Sequence, residues 1–500
     1  MRFRLMTALA IVCAALGTAP AVDVFPAIPE VRAAHGVAHV ELDVVVDPVS
    51  GYPAFAWNGA LGVAPTIRVH AGDAIDMTVH NDMRPFAGRP DDVNVHFHGL
   101  VVSPNAPGDD AMRLARPGET IRYHVDIPRD HEPGLYWYHP HAHGETYYDV
   151  TNGMSGAIVV EGIERYLPAL AAMRERVVVL RDVPTGPGFV DDDMPMTGMA
   201  GMAPRGRILH ANAGPPCRAE RGLQPTLNRQ PDAHIGIAPG ETQFFRVINA
   251  SAARFFDLSV DDAPLTIVAL DGVPLAAYPG AAATRDVSHV LIPPAGRAEF
   301  VVRAPTHDTL LRSACVDTGR LGDANPAAVL AHLVAPGAGA QAHAGSAPPL
   351  RPAGALPANV LSRPLPAPAL ARVVRFTEDD RGFYIGGKAY RMGDPPAIVA
   401  RSGTVERWTL QNATDEVHAF HIHQVHFIVE SVDGVREMHP AWRDTFDVPP
   451  RTRRSDGAVQ PGQAVVLVDF RDPVVRGTFV YHCHILDHED QGMMATIRVR

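Results

Sequence analysis

The chain has 500 residues, enough for two to four domains with sizeable cores. Hydrophobic residues make up 46% and charged residues 20%, an ordinary globular composition, and a net charge of −11 argues against nucleic acid as a partner. Pro 46 and Gly 43, with few long amphipathic helical patterns, indicate a turn-rich all-β protein.

In chain order, residues 1–21 read as an export signal. Arg2 and Arg4 precede an apolar stretch from Leu5 to Gly17, and Ala19-Pro20-Ala21 offers a small-residue cleavage site. The apolar run is short for a membrane anchor, and no later segment is long and apolar enough to span a bilayer. The exported chain is therefore expected in the periplasm or outside the cell. It keeps Cys217, Cys315 and Cys483.

Three segments share a frame: IRVHAGDAIDMTVHN (Ile67 to Asn81), IGIAPGETQFFRVIN (Ile235 to Asn249) and AIVARSGTVERWTLQN (Ala397 to Asn412). Each places a Gly nine residues before an Asn: Gly72 and Asn81, Gly240 and Asn249, Gly403 and Asn412. Apolar and polar residues roughly alternate between them, as in a strand with one buried face. The pattern predicts three copies of one β domain, at 22–165, 166–335 and 373–500. A linker rich in Pro, Ala and Gly covers 336–372. A second match joins only the outer copies: GLYWYHPH (Gly134 to His141) and GTFVYHCH (Gly477 to His484).

Twelve of the 25 histidines fall in four short segments of these outer copies: HFHG, HPHAHG, HAFHIHQVH and HCHILDH. Each contains an H-x-H pair, and on a strand residues i and i+2 point to one face. Four pairs supply eight convergent imidazoles, the number three metal ions sharing a site would need, and imidazole suits copper, zinc and iron. Cys483 then points away from His482 and His484. With His418, His488 and Met493 it has the makings of a His₂Cys site with a weak axial Met, the blue-copper arrangement. An electron arriving there has a through-bond path of one residue to the histidine cluster.

These segments resemble the four copper-binding motifs of multicopper oxidases. The resemblance covers essentially the whole exported chain and implies three cupredoxin-like Greek-key β-sandwich domains. It also implies four copper ions. His418, Cys483, His488 and Met493 correspond to the type 1 ligands, and His96 and His421 to the type 2 ligands. His98, His139, His141, His423, His482 and His484 correspond to the type 3 ligands. The implied reaction is one-electron oxidation of phenolic, organic or metal-ion substrates (Cu(I), Fe(II), Mn(II)), coupled to four-electron reduction of O₂ to water. The partners are O₂ and a small reducing substrate. Two departures stand out: Ala419 and Gln424 replace the Pro and Gly often found in the third motif. Thr414 and Glu416 stand where copper-tolerance oxidases place Met and Asp around a Cu(I) substrate, so no such site is expected.

Reduction of O₂ consumes protons, so acids belong near the cluster. Asp109 and Asp110 follow the first motif, and Glu489 follows His488. The segment DDDMPMTGMAGM (Asp191 to Met202) carries four Met, soft ligands suited to Cu(I), but its composition also fits a flexible surface loop. His143 and His426 extend the histidine runs and read as supporting residues. Cys217 and Cys315, both in the copper-free middle copy, are expected to pair in an oxidising compartment; the alternative is two buried thiols. A non-catalytic copper-sequestering protein is the competing function, although it would be expected to have lost ligands. Copper nitrite reductase has two cupredoxin domains rather than three repeats.

Overall fold

The computed structural model describes residues 25–84, 91–185, 217, 222–334 and 349–500. The export segment 1–21, the Met-rich segment and residues 336–348 of the linker lie outside the described residues. Six sheets form three pairs in chain order, each pair enclosing its own apolar core, as expected of an all-β, cupredoxin-like protein. Strand Val37–Val46 shows how the sequence builds such a pair. Ala38, Val40, Leu42 and Val44 point inward while the residues between them face outward.

The repeated segment does the same work three times. Strands Ala74–Asn81, Thr242–Asn249 and Val405–Asn412 each run parallel to an earlier strand: Val37–Val46, Arg174–Pro184 and Leu370–Asp379. Each ends at the repeated Asn. Asn81 donates its amide to the carbonyls of Asp91 (2.8 Å) and Ala115 (2.9 Å). Asn249 donates to Arg254 (2.7 Å) and Ile292 (2.9 Å), and Asn412 to Glu416 (2.7 Å) and Val448 (3.1 Å). All three are fully buried, and each bridges two backbone carbonyls from separate parts of its domain.

Cys217 and Cys315 form a disulfide, with Cα atoms 5.4 Å apart. Among the described residues no helix is long and apolar enough to cross a membrane.

Candidate metal centre

The histidine segments meet where the first and last sandwiches touch. Strand His96–His98 pairs antiparallel with Gly134–His139, which sets His96 opposite His139. Strand His418–Ile422 pairs with Gly477–Cys483, which sets His421 opposite His482 and Phe420 opposite Cys483. The two-residue period then decides the faces. Phe479, Tyr481 and Cys483 enter the core of the last sandwich, while His482 and His484 face the first. The interface is clamped by Asp490, whose carboxylate accepts from the backbone N–H of Gly144 (2.7 Å) and Tyr147 (2.8 Å), just past the His141 loop.

Eight imidazoles fill one buried space. His96 stacks on His423 at 3.6 Å between centroids and His98 on His421 at 3.9 Å. His98, His139 and His484 form one triangle, with centroids 5.1–5.8 Å apart. His141, His423 and His482 form another, with Nε2 of His482 3.2 Å from His141 Nε2 and 3.3 Å from His423 Nε2. Imidazole nitrogens each about 2.0–2.1 Å from one ion lie about 3.3–3.5 Å apart, so this spacing fits a shared metal.

The tautomers fit as well. His139 Nδ1 donates to the Pro140 carbonyl (2.7 Å), His421 Nδ1 to the Asp444 carbonyl (2.9 Å) and His482 Nδ1 to the Cys483 carbonyl (2.9 Å). His96 Nδ1 meets Asp109 Oδ2 at 2.9 Å. Their Nε2 lone pairs are thereby turned to the interior. Nε2 of His96, His139 and His421, and both nitrogens of His98 and His484, are buried with no hydrogen-bond partner. Orphaned buried nitrogens are costly unless an ion takes them. Burial, with mutual repulsion, drives these imidazoles neutral, to about 4 for His421 and about 3 for His482, which leaves them competent as ligands.

On the opposite face of the same strand, Cys483 Sγ lies 3.6 Å from His418 Nδ1 and 3.8 Å from His488 Nδ1, and the two nitrogens are 3.2 Å apart. A trigonal ion about 2.3 Å from sulfur and about 2.0 Å from nitrogen sets sulfur and nitrogen about 3.7 Å apart. His418 is oriented by Thr414 Oγ1 on its Nε2 (3.0 Å), and His488 by the Phe383 ring stacked on it at 4.1 Å. Met493 is fully buried in the same core, and its carbonyl accepts from the Cys483 N–H (3.0 Å). The residues present fit copper at both places.

The acids divide. Asp109 is buried on His96, also accepts from the Phe97 N–H (3.0 Å), and is pushed by burial up to about 7. Glu489 is fully buried 3.8 Å from His141 Nδ1 and 4.0 Å from His143 Nδ1. Asp110 turns its carboxylate to the Met112 N–H (3.1 Å), and its influence on the site is the charge it sets beside Asp109. His143 and His426 are supporting residues: His143 meets Tyr390 edge-on, and His426 Nε2 faces the Asp271 carbonyl (3.4 Å).

Four residues gain places at the site that the sequence did not indicate: Gln424, Glu416, Asp444 and Arg297. Gln424 reaches an acid of the site, donating from Nε2 to Asp109 Oδ2 at 2.5 Å. Glu416 does mark an acidic cluster at the cysteine site: its Oε1 is 3.5 Å from His488 Nε2, and the carboxyls of Glu378, Asp323 and Asp487 are near. Asp444 and Arg297 had no signal in the sequence. Asp444 Oδ1 lies 3.4 Å from His98 Nε2 and 3.7 Å from His421 Nδ1. Burial opposes its charge, yet the Arg297 guanidinium outweighs burial and holds it at about 2.

Multicopper oxidase domain profiles match residues 45–165, 201–330 and 362–500. The multicopper oxidase mco of Staphylococcus aureus is 23% identical over 457 residues, covering 89% of this chain and 83% of that protein. A laccase of Bacillus stratosphericus is 24% identical, covering 88% and 89%. Among solved structures, a Campylobacter jejuni multicopper oxidase described as a metallo-oxidase superposes with a TM-score of 0.71 at 23% identity, covering 95% and 96%. A laccase-like multicopper oxidase from Ochrobactrum sp. gives 0.69 at 22% identity, covering 95% and 100%. With all three repeats matched and both copper-competent ligand sets assembled, the chain belongs to the multicopper oxidase family, oxidoreductases that take O₂ as electron acceptor.

Proposed function

We propose that this is an exported oxidase with four coppers that takes single electrons from a divalent metal ion, Fe(II) or Mn(II), harder than Cu(I). His418, Cys483, His488 and Met493 hold the type 1 ion, and His96 and His421 the type 2 ion. His98, His139 and His484 hold one type 3 ion, and His141, His423 and His482 the other. Copper bound there supplies one-electron oxidation at the cysteine and reduction of O₂ at the cluster. The chain connects the two sites: Cys483 is bonded through the backbone to His482 and His484, and its carbonyl accepts from His482 Nδ1. Asp109 supplies protons on one side of the cluster; on the other, Glu489, held against its burial as a carboxylate at about 2 by His141 and His143, accepts and passes them on.

The observation that carries the substrate class is Glu416. Its buried Oε1 has no hydrogen-bond partner and faces the outer nitrogen of His488, the edge where an electron would enter. Carboxylates suit hard ions better than Cu(I), which prefers thioethers. The metallo-oxidase description of the Campylobacter protein agrees, although that likeness by itself carries only the fold. Export is supported by the Arg2–Ala21 pattern and by the disulfide. A sequestering role is disfavoured because every ligand position is filled. Oxygen consumption with Fe(II), Mn(II), Cu(I) and a phenol in parallel tests the reading: kcat/KM highest for a phenol or Cu(I) would overturn the substrate class.

A further inference from the structure

The middle sandwich supplies none of the proposed copper ligands, yet one of its side chains reaches the cluster. Arg297 opens strand Arg297–Arg303, and its side chain is 0% exposed. Its Nη1 and Nη2 donate to Asp444 Oδ1 and Oδ2 at 2.7 and 2.5 Å, a two-point fork on a carboxylate of the last sandwich. Nη1 also donates to the Ala295 carbonyl (3.1 Å), and Nε to the Leu135 carbonyl of the first sandwich (3.3 Å). One guanidinium therefore binds all three domains. Asp271, also from the middle sandwich, accepts from the Arg297 N–H (2.9 Å) and from Arg443 Nε (2.7 Å), fixing both neighbours of the pair.

The far side of Asp444 faces the histidines. Its carbonyl accepts from His421 Nδ1 at 2.9 Å, and Oδ1 lies 3.4 Å from His98 Nε2. The pair also explains the glycine of HFHG. Gly99 has φ +84°, and a Cβ there would collide with Arg297 Nη2 and sit 2.7 Å from Asp444 Oδ2. The motif leaves room for an ion pair delivered from another domain.

We propose that Arg297 is a positioning residue for the trinuclear site. Through Asp444, whose carbonyl holds His421 Nδ1, it fixes the ring orientation of His421, so the copper-free domain helps assemble the cluster. This rests on the ligand assignment proposed above. Groups that orient a metal-bound imidazole commonly change affinity by about 10–100-fold when removed.

The test uses the full chain loaded with copper, as Arg297→Met and Arg297→Lys. The readouts are copper per chain, the type 2 electron paramagnetic resonance signal, and the blue absorption of the cysteine site. Arg297→Met should lose the type 2 signal and bind that copper about 10–100-fold more weakly, with the blue band kept. Arg297→Lys keeps the charge without the fork. It should give a type 2 signal with altered hyperfine splitting and a raised KM for O₂, and it decides the matter if the Met variant does not fold. A lower melting temperature with an unchanged type 2 spectrum and full copper in Arg297→Lys would show a purely structural role and overturn the proposal. If the wild-type chain itself bound no type 2 copper, the ligand assignment, rather than Arg297, would be at fault.

Discussion

Replacing Glu416 with Gln should separate metal-ion substrates from other reductants. The change is nearly isosteric and removes one buried carboxyl beside His488. Two unit charges about 4 Å apart are worth about 1 kcal/mol in water and about 4 kcal/mol at an effective dielectric of 20. Between these limits, KM for Fe(II) should rise about 10- to 100-fold. Ferrocyanide, an anion that gains nothing from a carboxylate, should be oxidised as before. The pH dependence has a definite sign. Burial, and then the neighbouring Glu378, push the Glu416 carboxyl well above its ordinary range, so in the empty site it holds a proton. An arriving cation must displace that proton, and KM for Fe(II) should fall as pH rises, by up to about tenfold per unit. In Glu416→Gln this slope should flatten. Steady-state oxygen uptake against both donors from pH 5 to 8 is the assay. Equal losses for Fe(II) and ferrocyanide would mean that Glu416 merely props His488, and unchanged Fe(II) kinetics would remove it from the substrate site.

Asp109→Asn should lower turnover by about 10²–10⁴-fold with the blue band intact, and wild-type turnover should decline as pH rises through about 7, where Asp109 loses its proton; an unaltered pH profile in the variant would exclude Asp109 as the proton donor. Replacing Cys217 and Cys315 with Ser should destabilise the chain by up to about 4–5 kcal/mol in denaturant unfolding. Non-reducing peptide mapping should recover the two cysteines cross-linked, and their separation would contradict the pairing. Asn249→Ala removes the two hydrogen bonds its amide donates to the carbonyls of Arg254 and Ile292 and should cost about 1–3 kcal/mol without changing the blue spectrum; no loss of stability would mean that Ser251 and water replace the amide.

Periodicity and spacing exposed the ligands because each depends on short-range geometry. An H-x-H pair fixes two imidazoles on one face, and the residue between them must face the other way, which is where Cys483 stands. The Gly and Asn of the repeat were visible as a pattern, while the reason for the Asn, one amide bridging two distant carbonyls, needed the whole domain in place. Arg297 and Asp444 are 147 positions apart and meet only once three sandwiches have docked, so neither announces itself. Glu416 was set aside because it differs from the Met and Asp of copper-tolerance oxidases. Its meaning comes from Glu378, on strand Leu370–Asp379, and His488, on the short helix Leu486–Asp490, which meet it only in the folded chain. Asp110 shows the converse: adjacent to Asp109, it is turned by the chain to the Met112 N–H instead of a histidine.

The central claim is that two copper sites lie back to back on one strand, with Cys483 on one face and His482 and His484 on the other. Elemental and spectroscopic analysis of reconstituted wild type and Cys483→Ser tests it most directly. Wild type should hold about four coppers and be blue, and Cys483→Ser should lose the blue band and turnover but keep about three coppers with the type 2 signal unchanged. One copper or none in the wild type, or loss of all copper in Cys483→Ser, would contradict the account.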